Sequence, residues 1–186
     1  MDIWGPNSSW FWTMVQAIVV AVSLFFIYRQ VKYQRYTNML VSLNSLREKW
    51  DSELMRRSRL AVSCRFRDKD KSITDDCLYI LSFFEELGMH YKKKVFETDV
   101  LWSIYSYRVE NFWMVLEPMV KEYRAHFDDT YYENFEYLKK QFEAHSRKRN
   151  LSVKPKTEAE LMVFVRDEIE ALEKFPKQLK SLVNRA

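Results

Sequence analysis

Turn-forming residues are scarce in this chain, whose 186 residues include only two glycines and four prolines. Because chain reversals depend on residues that tolerate special backbone angles, this scarcity predicts few, long helices and argues against a β-sheet. The chain has only two cysteines, Cys64 and Cys77, and they lack CxxC spacing. We therefore expect free thiols rather than a disulfide or a redox motif.

Residues that carry catalysis or bind metals are equally sparse. The three histidines, His90, His126 and His145, have no ligand-like spacing, so no zinc cluster can be assembled from them and the cysteines. The sequence contains no Walker lysine loop and no GxGxxG, HExxH or GxSxG motif. We expect a non-enzymatic protein with no cofactor and no metal.

Against this background, one long segment lacks charge: the nineteen residues from Trp10 to Tyr28 carry no formal charge. With a rise of about 1.5 Å per residue, a helix of this length extends about 28 Å, close to the roughly 30 Å hydrocarbon thickness of a bilayer. A cleavable signal peptide would have a basic stretch before the apolar run and an A-x-A site after it, and the sequence has neither. We predict a single transmembrane helix over residues 10–28.

The charges that flank this segment predict its orientation. Asp2 is the only charged side chain before it, whereas Arg29, Lys32 and Arg35 follow it within seven residues. By the positive-inside rule, residues 1–9 are predicted to be extracytoplasmic and the rest of the chain cytoplasmic, with the span in the cell inner membrane. The lipid bilayer is thus the first expected partner.

Three polar side chains, Thr13, Gln16 and Ser23, fall within about 80° of one another on the predicted span at 100° per residue. In one interpretation the two hydroxyls bond back to their own helix, which leaves only Gln16 unusual. In the other, the stripe faces further copies of the chain or water, because an unpaired amide in hydrocarbon is costly. We favour the second interpretation, which predicts a homo-oligomer and makes these residues candidates for assembly or a pore.

The segment that follows the span is basic. Residues 29–71 contain twelve Lys or Arg against five Asp or Glu, whereas residues 72–186 have a net charge of −2. Apolar residues recur at helical spacing without Pro or Gly, so residues 29–71 predict a long amphipathic stalk helix after the span. Its arginines form either a solvated helix face, which we favour, or a basic surface for lipid headgroups or nucleic acid. These arginines are Arg56, Arg57, Arg59, Arg65 and Arg67.

Residues 72–186 predict a cytoplasmic helical domain. The fold class is therefore all-α, with an N-terminal transmembrane helix, a long juxtamembrane helix and a bundle of four or five helices. Thr74 and Thr98 are expected to cap two of these helices with their side chains. Thr157 and Glu160 have the spacing of a capping box, which predicts the start of another helix.

Helix breakers predict several boundaries within that domain. Gly88 is expected to weaken or end the helix that contains it. Pro118 is expected to kink or split its helix, and Pro176 to interrupt the last one. A further helix, rich in Tyr and Phe, is predicted from about Asp129 to Lys148.

A segment near the middle of the chain, YILSFFEELG from Tyr79 to Gly88, carries a resemblance to a known family. Apolar and aromatic residues further on share in it: Leu101, Trp102, Tyr107, Phe112 and Trp113. The chain resembles small bacterial membrane proteins of unassigned function, which have a membrane helix, an all-α cytoplasmic domain and an L-x-F-F-E-x-L-G stretch. The resemblance covers most of the chain. Because aromatic stripes at helical spacing usually belong to the core, we predict a structural role for Phe83, Phe84 and Glu85.

The size and architecture are also similar to those of the membrane accessory protein of type VI-B CRISPR systems. This resemblance implies phage defence beside an RNA-guided ribonuclease, and assembly as a ring with a membrane pore. The function predicted from sequence is thus a non-enzymatic, self-associating membrane effector or accessory protein, linked to antiviral defence.

Two alternatives remain open at this point. The accessory protein resembles the HEPN helical domains, whose ribonuclease members use an arginine, a polar residue, three spacers and a histidine. The nearest match here is Arg149 and Asn150, with Lys154 in place of the histidine. Because lysine is a poor general base at neutral pH, this degenerate ribonuclease is not favoured. The other alternative is a membrane-tethered binder of nucleic acid that uses the basic surface.

Overall fold

The structure, a computed structural model, describes residues 9–70, 72–151, 153 and 156–183, and describes side chains as far as Lys174. No β-strand occurs in the described residues, so the predicted all-α class is confirmed. The described residues form these helices: α1 Ser9–Asp51, α2 Glu53–Arg67, α3 Asp75–Lys92, α4 Thr98–His126, α5 Glu133–Lys148 and α6 Glu158–Val183.

The chain divides into two compact units, residues 1–45 and residues 46–186. The described part of the first unit is α1 from Ser9 to Ser45. The second unit contains the last residues of α1 and all of α2 to α6. Within it, α3 packs against α5, α2 packs against α3 and α6, and α4 contacts α3, α5 and α6. In the described residues, the predicted bundle of four or five helices therefore contains five, α2 to α6.

The predicted stalk helix over residues 29–71 is divided in the structure. α1 continues past the predicted span but ends at Asp51, and Ser52 has an extended backbone. The Ser52 hydroxyl accepts a hydrogen bond from the backbone N–H of Met55 (3.2 Å), so it caps the start of α2. Because α2 packs against α3 and α6, it is part of the bundle rather than of a separate stalk.

Of the predicted helix caps, one is confirmed. The backbone N–H of Thr157 donates to the Glu160 carboxylate (2.7 Å), and the N–H of Glu160 donates to the Thr157 hydroxyl (3.3 Å), which completes the capping box. Thr74 occupies the N-cap position of α3, but its side chain makes no capping hydrogen bond. Thr98 is the first residue of α4, whose N-cap is Glu97.

The predicted helix breakers do not end their helices. α3 continues four residues beyond Gly88 to Lys92, and α4 runs through Pro118 without a break. α6 likewise includes position 176, so the prediction that Pro176 interrupts the last helix is wrong. A proline removes one hydrogen bond from a helix, and the contacts of α4 with three other helices supply the stabilisation that keeps it continuous.

α5 begins later than predicted, at Glu133 rather than Asp129. The Asp128 carboxylate accepts a hydrogen bond from the backbone N–H of Thr130 (2.7 Å), which favours a turn over a helix at this point. Tyr132 then adopts a left-handed conformation with φ of 58°. The chain therefore enters α5 only after this turn.

Aromatic rings occupy the centre of the bundle. Trp50, in the last turn of α1, lies 5.2 Å from Phe83 between ring centroids, and Phe84 stacks on Phe135 at 4.6 Å. Trp113 meets Phe135 edge to face at 5.0 Å. Phe83, Phe84 and Phe135 are 0% exposed. The two phenylalanines of the FFEELG segment are thus core residues, as predicted.

Candidate functional site

α1 contains the one stretch of the described chain that is long and apolar enough to cross a membrane. None of this stretch is buried, and Leu24, Phe25 and Phe26 are 60%, 57% and 64% exposed. Apolar surface of this extent is stable only when lipid or another apolar surface covers it. Length and composition agree with the predicted span, whereas its orientation and its location in the inner membrane stay predictions.

The three polar residues of the stripe differ in their hydrogen bonds. The Thr13 hydroxyl donates to the carbonyl of Ser9 (2.8 Å), and the Ser23 hydroxyl donates to the carbonyl of Val19 (2.8 Å). Both are therefore satisfied by their own helix. Gln16 is exposed, and its amide makes no hydrogen bond with a described residue. Within the stripe, Gln16 is the polar group that still requires a partner.

The FFEELG segment joins α3 to the start of α5 through Glu85. One carboxylate oxygen accepts from the backbone N–H of Asn134 (3.2 Å) and from its side-chain amide (2.6 Å), and the other accepts from the N–H of Phe135 (2.9 Å). The first N–H groups of a helix have no partner within it, and a carboxylate there also interacts favourably with the helix dipole. Because the N-cap residue Tyr132 makes no side-chain cap, Glu85 caps α5 from α3.

Gly88 lets α3 and α5 approach each other closely. It is buried, and a Cβ atom added to it would lie 2.1 Å from the carbonyl oxygen of Asn134 and 2.4 Å from its carbonyl carbon. Both are backbone atoms at the start of α5, so no side-chain rotation can relieve the clash. The segment therefore has a structural role, in which Glu85 caps α5 and Gly88 makes room for it.

We expect Glu85→Ala to lower the free energy of unfolding by about 2 kcal/mol, because the donors at the start of α5 lose their acceptor. Glu86→Ala is the matched control, since Glu86 is adjacent and makes a partly exposed ion pair with Lys49. A pair of this kind contributes about 1 kcal/mol or less. Denaturant unfolding in detergent, followed by fluorescence, measures both variants. Equal losses would contradict the capping role.

The five arginines predicted as a basic surface are not all exposed. Arg59 is 6% exposed, so its assignment to that surface is wrong. Arg65 pairs with Asp70 (3.2 Å), and Arg67 pairs with Asp68 (2.9 Å). Because each of these two charges has a neighbouring carboxylate, the arrangement favours a solvated helix face over a nucleic-acid interface.

Arg59 belongs to a buried cluster that the sequence interpretation did not find. Its guanidinium carbon lies 4.3 Å from the Trp50 ring centroid, and that of Arg108 lies 4.9 Å from the same ring. Nη1 of Arg59 lies 3.4 Å from Oε2 of Glu168, and the two form an ion pair without hydrogen-bond geometry. Nε of Arg59 and Oε2 of Glu168 are buried and make no hydrogen bond with a described residue. The cluster is therefore incompletely paired.

Burial shifts the pKa of both charged partners in this cluster. It raises the pKa of the Glu168 carboxyl and lowers the pKa of the Arg59 guanidinium, in each case against the attraction of the other partner. Both shifts disfavour the charged form. The ion pair thus does not offset the free energy lost when the two charges leave water.

Arg149, from the predicted ribonuclease motif, lies at the end of α5 beside the start of α4. Its Nη2 is 3.1 Å from Oδ1 of Asp99, and its guanidinium carbon is 4.8 Å from the Trp102 ring centroid. His145, one helical turn earlier, places Nε2 3.0 Å from the same Asp99 oxygen. The i, i+4 spacing of His145 and Arg149 could have revealed this pair, but Asp99 is distant in sequence.

The predicted motif has two further residues, Asn150 and Lys154. Asn150 follows α5 in a left-handed conformation with φ of 57°. Lys154 lies outside the described residues. A catalytic role for Arg149, Asn150 and Lys154 stays a prediction.

Comparison with known proteins places this architecture in a family. The model of a family described as "Domain of unknown function (DUF4760)" matches residues 13–142. The chain belongs to this family. The matched segment begins inside the predicted span and includes the FFEELG segment, whereas Arg149 and α6 lie outside it. No curated protein and no solved structure matches the chain.

Membership of the DUF4760 family agrees with the predicted resemblance to proteins of unassigned function. The link to type VI-B CRISPR systems stays a prediction. Within the described part of the chain, no group of three or more His, Cys, Asp or Glu side chains could hold a metal ion.

A pocket of about 420 Å³ lies in the second unit and is lined by α2, α4 and α6. This volume falls in the range of small-ligand sites, roughly 300–1,000 Å³. Its apolar lining consists of Val62, Phe66, Val115, Pro118, Met119 and Met162. The charged residues that line it are exposed: Lys69, Asp70, Glu122 and Glu158. The pocket therefore combines an apolar interior with a predominantly acidic mouth.

Proposed function

We propose that this DUF4760 protein is a non-enzymatic membrane effector or accessory protein that self-associates through α1. The observation that carries the proposal is an apolar stretch of α1 with no part of it buried, together with the Gln16 amide, which makes no hydrogen bond with a described residue. In hydrocarbon, an amide is stabilised most readily by a polar group of a neighbouring helix, because no water is present to bond with it.

The proposal includes a topology. The basic residues Arg29, Lys32 and Arg35 follow the apolar stretch, which supports a cytoplasmic location for the bundle and an extracytoplasmic location for residues 1–9. The proposal also assigns the chain to antiviral defence, and this part is supported only by the resemblance to the CRISPR accessory protein.

We expect Gln16→Leu to weaken self-association in lipid bilayers about fivefold, since an interhelical hydrogen bond contributes roughly 1 kcal/mol. Ser23→Ala is the matched control. Its hydroxyl already bonds to the carbonyl of Val19, so its loss should leave association unchanged. Energy transfer between labelled chains in vesicles, over a range of protein-to-lipid ratios, measures both variants.

Gln16→Leu that associates as tightly as the unmodified chain would contradict the proposal and leave α1 as an anchor only. The pore hypothesis requires more than association: the assembled chain must release a dye trapped in vesicles, and Gln16→Leu must reduce that release. A chain that associates without dye release would exclude the pore and retain the accessory role.

A further inference from the structure

We propose that the pocket lined by α2, α4 and α6 binds residues 177–186 of a second copy of the chain. The inference rests on the proposed self-association. It adds to the contact through α1 a second contact, made in the bundle, between an acidic pocket and a basic segment.

The mouth of the pocket has carboxylates available for a basic partner. Glu122 makes no ion pair with a described residue. Glu158 is 3.9 Å from Lys69, with both side chains more than 75% exposed, so this pair contributes little. Asp70, in contrast, is held by Arg65 at 3.2 Å. Negative charge at Glu122 and Glu158 is therefore open to a cation from outside.

The segment of residues 177–186, KQLKSLVNRA, complements this pocket in both charge and polarity. It contains no acidic residue, and Leu179, Leu182 and Val183 have i, i+3 and i+4 spacing in a helix that extends to Val183. This spacing is how amphipathic helices insert apolar anchors into grooves. The basic residues of the segment are Lys177, Lys180 and Arg185.

The geometry of α6 requires that the segment come from another copy. Glu158, at the mouth of the pocket, is the first residue of α6, and Leu179 lies 21 residues later in the same helix. At 1.5 Å per residue this corresponds to about 31 Å along the axis. The segment cannot reach the pocket of its own chain while α6 remains helical.

The test uses the full chain in phosphatidylcholine nanodiscs and a fluorescent peptide of residues 175–186, with binding measured by anisotropy against empty nanodiscs. We expect Glu122→Lys to weaken binding about tenfold, because an attractive charge becomes repulsive. Asp129→Lys, which makes the same change of charge outside the pocket, should leave binding unchanged. A peptide in which Leu179 and Leu182 are replaced by Asp should not bind.

A second pocket variant keeps the test independent of charge. Met162→Trp fills part of the apolar lining and should also weaken peptide binding. An unmodified chain that does not bind the peptide would overturn the proposal. So would binding that persists in both Glu122→Lys and Met162→Trp, because the peptide would then occupy a different surface.

The failure of this inference can be told apart from the failure of the proposed function. Chemical cross-linking in the same nanodiscs measures contact between the bundles of two copies. A chain that lacks residues 177–186 should lose these cross-links but keep the association through α1 that depends on Gln16. If Gln16→Leu associated as tightly as the unmodified chain while the peptide still bound, only the proposed function would be contradicted. Retained cross-links between bundles in the shortened chain would contradict only the pocket contact.

Discussion

Gly88→Ala is expected to lower the free energy of unfolding by about 3 kcal/mol, because the new Cβ atom would overlap the backbone of α5. The predicted contact is 2.1 Å to the carbonyl oxygen of Asn134. In an open helix interior, the same substitution stabilises by roughly 1 kcal/mol. The sign of the effect therefore reports directly on the close approach of α3 and α5.

Ser82→Ala is the control for this experiment, since Ser82 is an exposed residue of the same helix. It should be neutral or slightly stabilising, because alanine has the higher helix propensity. Denaturant midpoints and slopes of both variants, measured in the same detergent, give the comparison. If Gly88→Ala were as stable as Ser82→Ala, α3 and α5 could not be as close as the structure places them.

Removal of one partner of the buried ion pair should be more harmful than removal of both. Glu168→Leu alone is expected to cost about 3 kcal/mol, because Arg59 would remain buried without its ion-pair partner. Adding Arg59→Met to Glu168→Leu should recover stability to within about 1 kcal/mol of the unmodified chain. The physical reason is that burial disfavours the charged form of both groups.

The pH dependence of unfolding gives this prediction a second measurement. Burial raises the pKa of Glu168 above its ordinary value of 4.5. At a pH between the unfolded and the folded pKa, the folded chain therefore keeps a proton that the unfolded chain has lost. The stabilisation from protonated Glu168 is present below the unfolded pKa and is lost as pH rises through the folded pKa. The stability of the unmodified chain relative to the double variant should therefore fall as pH rises above about 4.5. If the free energies of unfolding of the unmodified chain and the double variant changed with pH in parallel, the raised pKa of Glu168 would be contradicted.

Local features of the fold could be predicted because they depend on neighbouring residues. The scarcity of glycine and proline predicted helices, and the charge-free segment from Trp10 to Tyr28 predicted a helix long enough to span a bilayer. The capping box of Thr157 and Glu160 was confirmed because both partners lie within one turn. Each of these signals is complete within a short stretch of chain.

Boundaries that depend on competing interactions were predicted less well. The helix breaks at Ser52, whose side chain caps the start of α2, although no proline or glycine lies at this position. Pro118 has the opposite outcome, since α4 continues through it. In both cases packing of the bundle decides what the local sequence leaves undetermined.

The sequence alone determined that this protein is all-α and that α1 has a stretch long and apolar enough to cross a bilayer, because hydrophobic length and helix propensity act along the chain. Tertiary structure decided the roles of single residues. Glu85 caps a helix 49 residues away, Gly88 accommodates that helix, and Arg59 is buried against Glu168 rather than exposed on a basic face. These roles arise from contacts between helices distant in sequence, which helical periodicity does not specify.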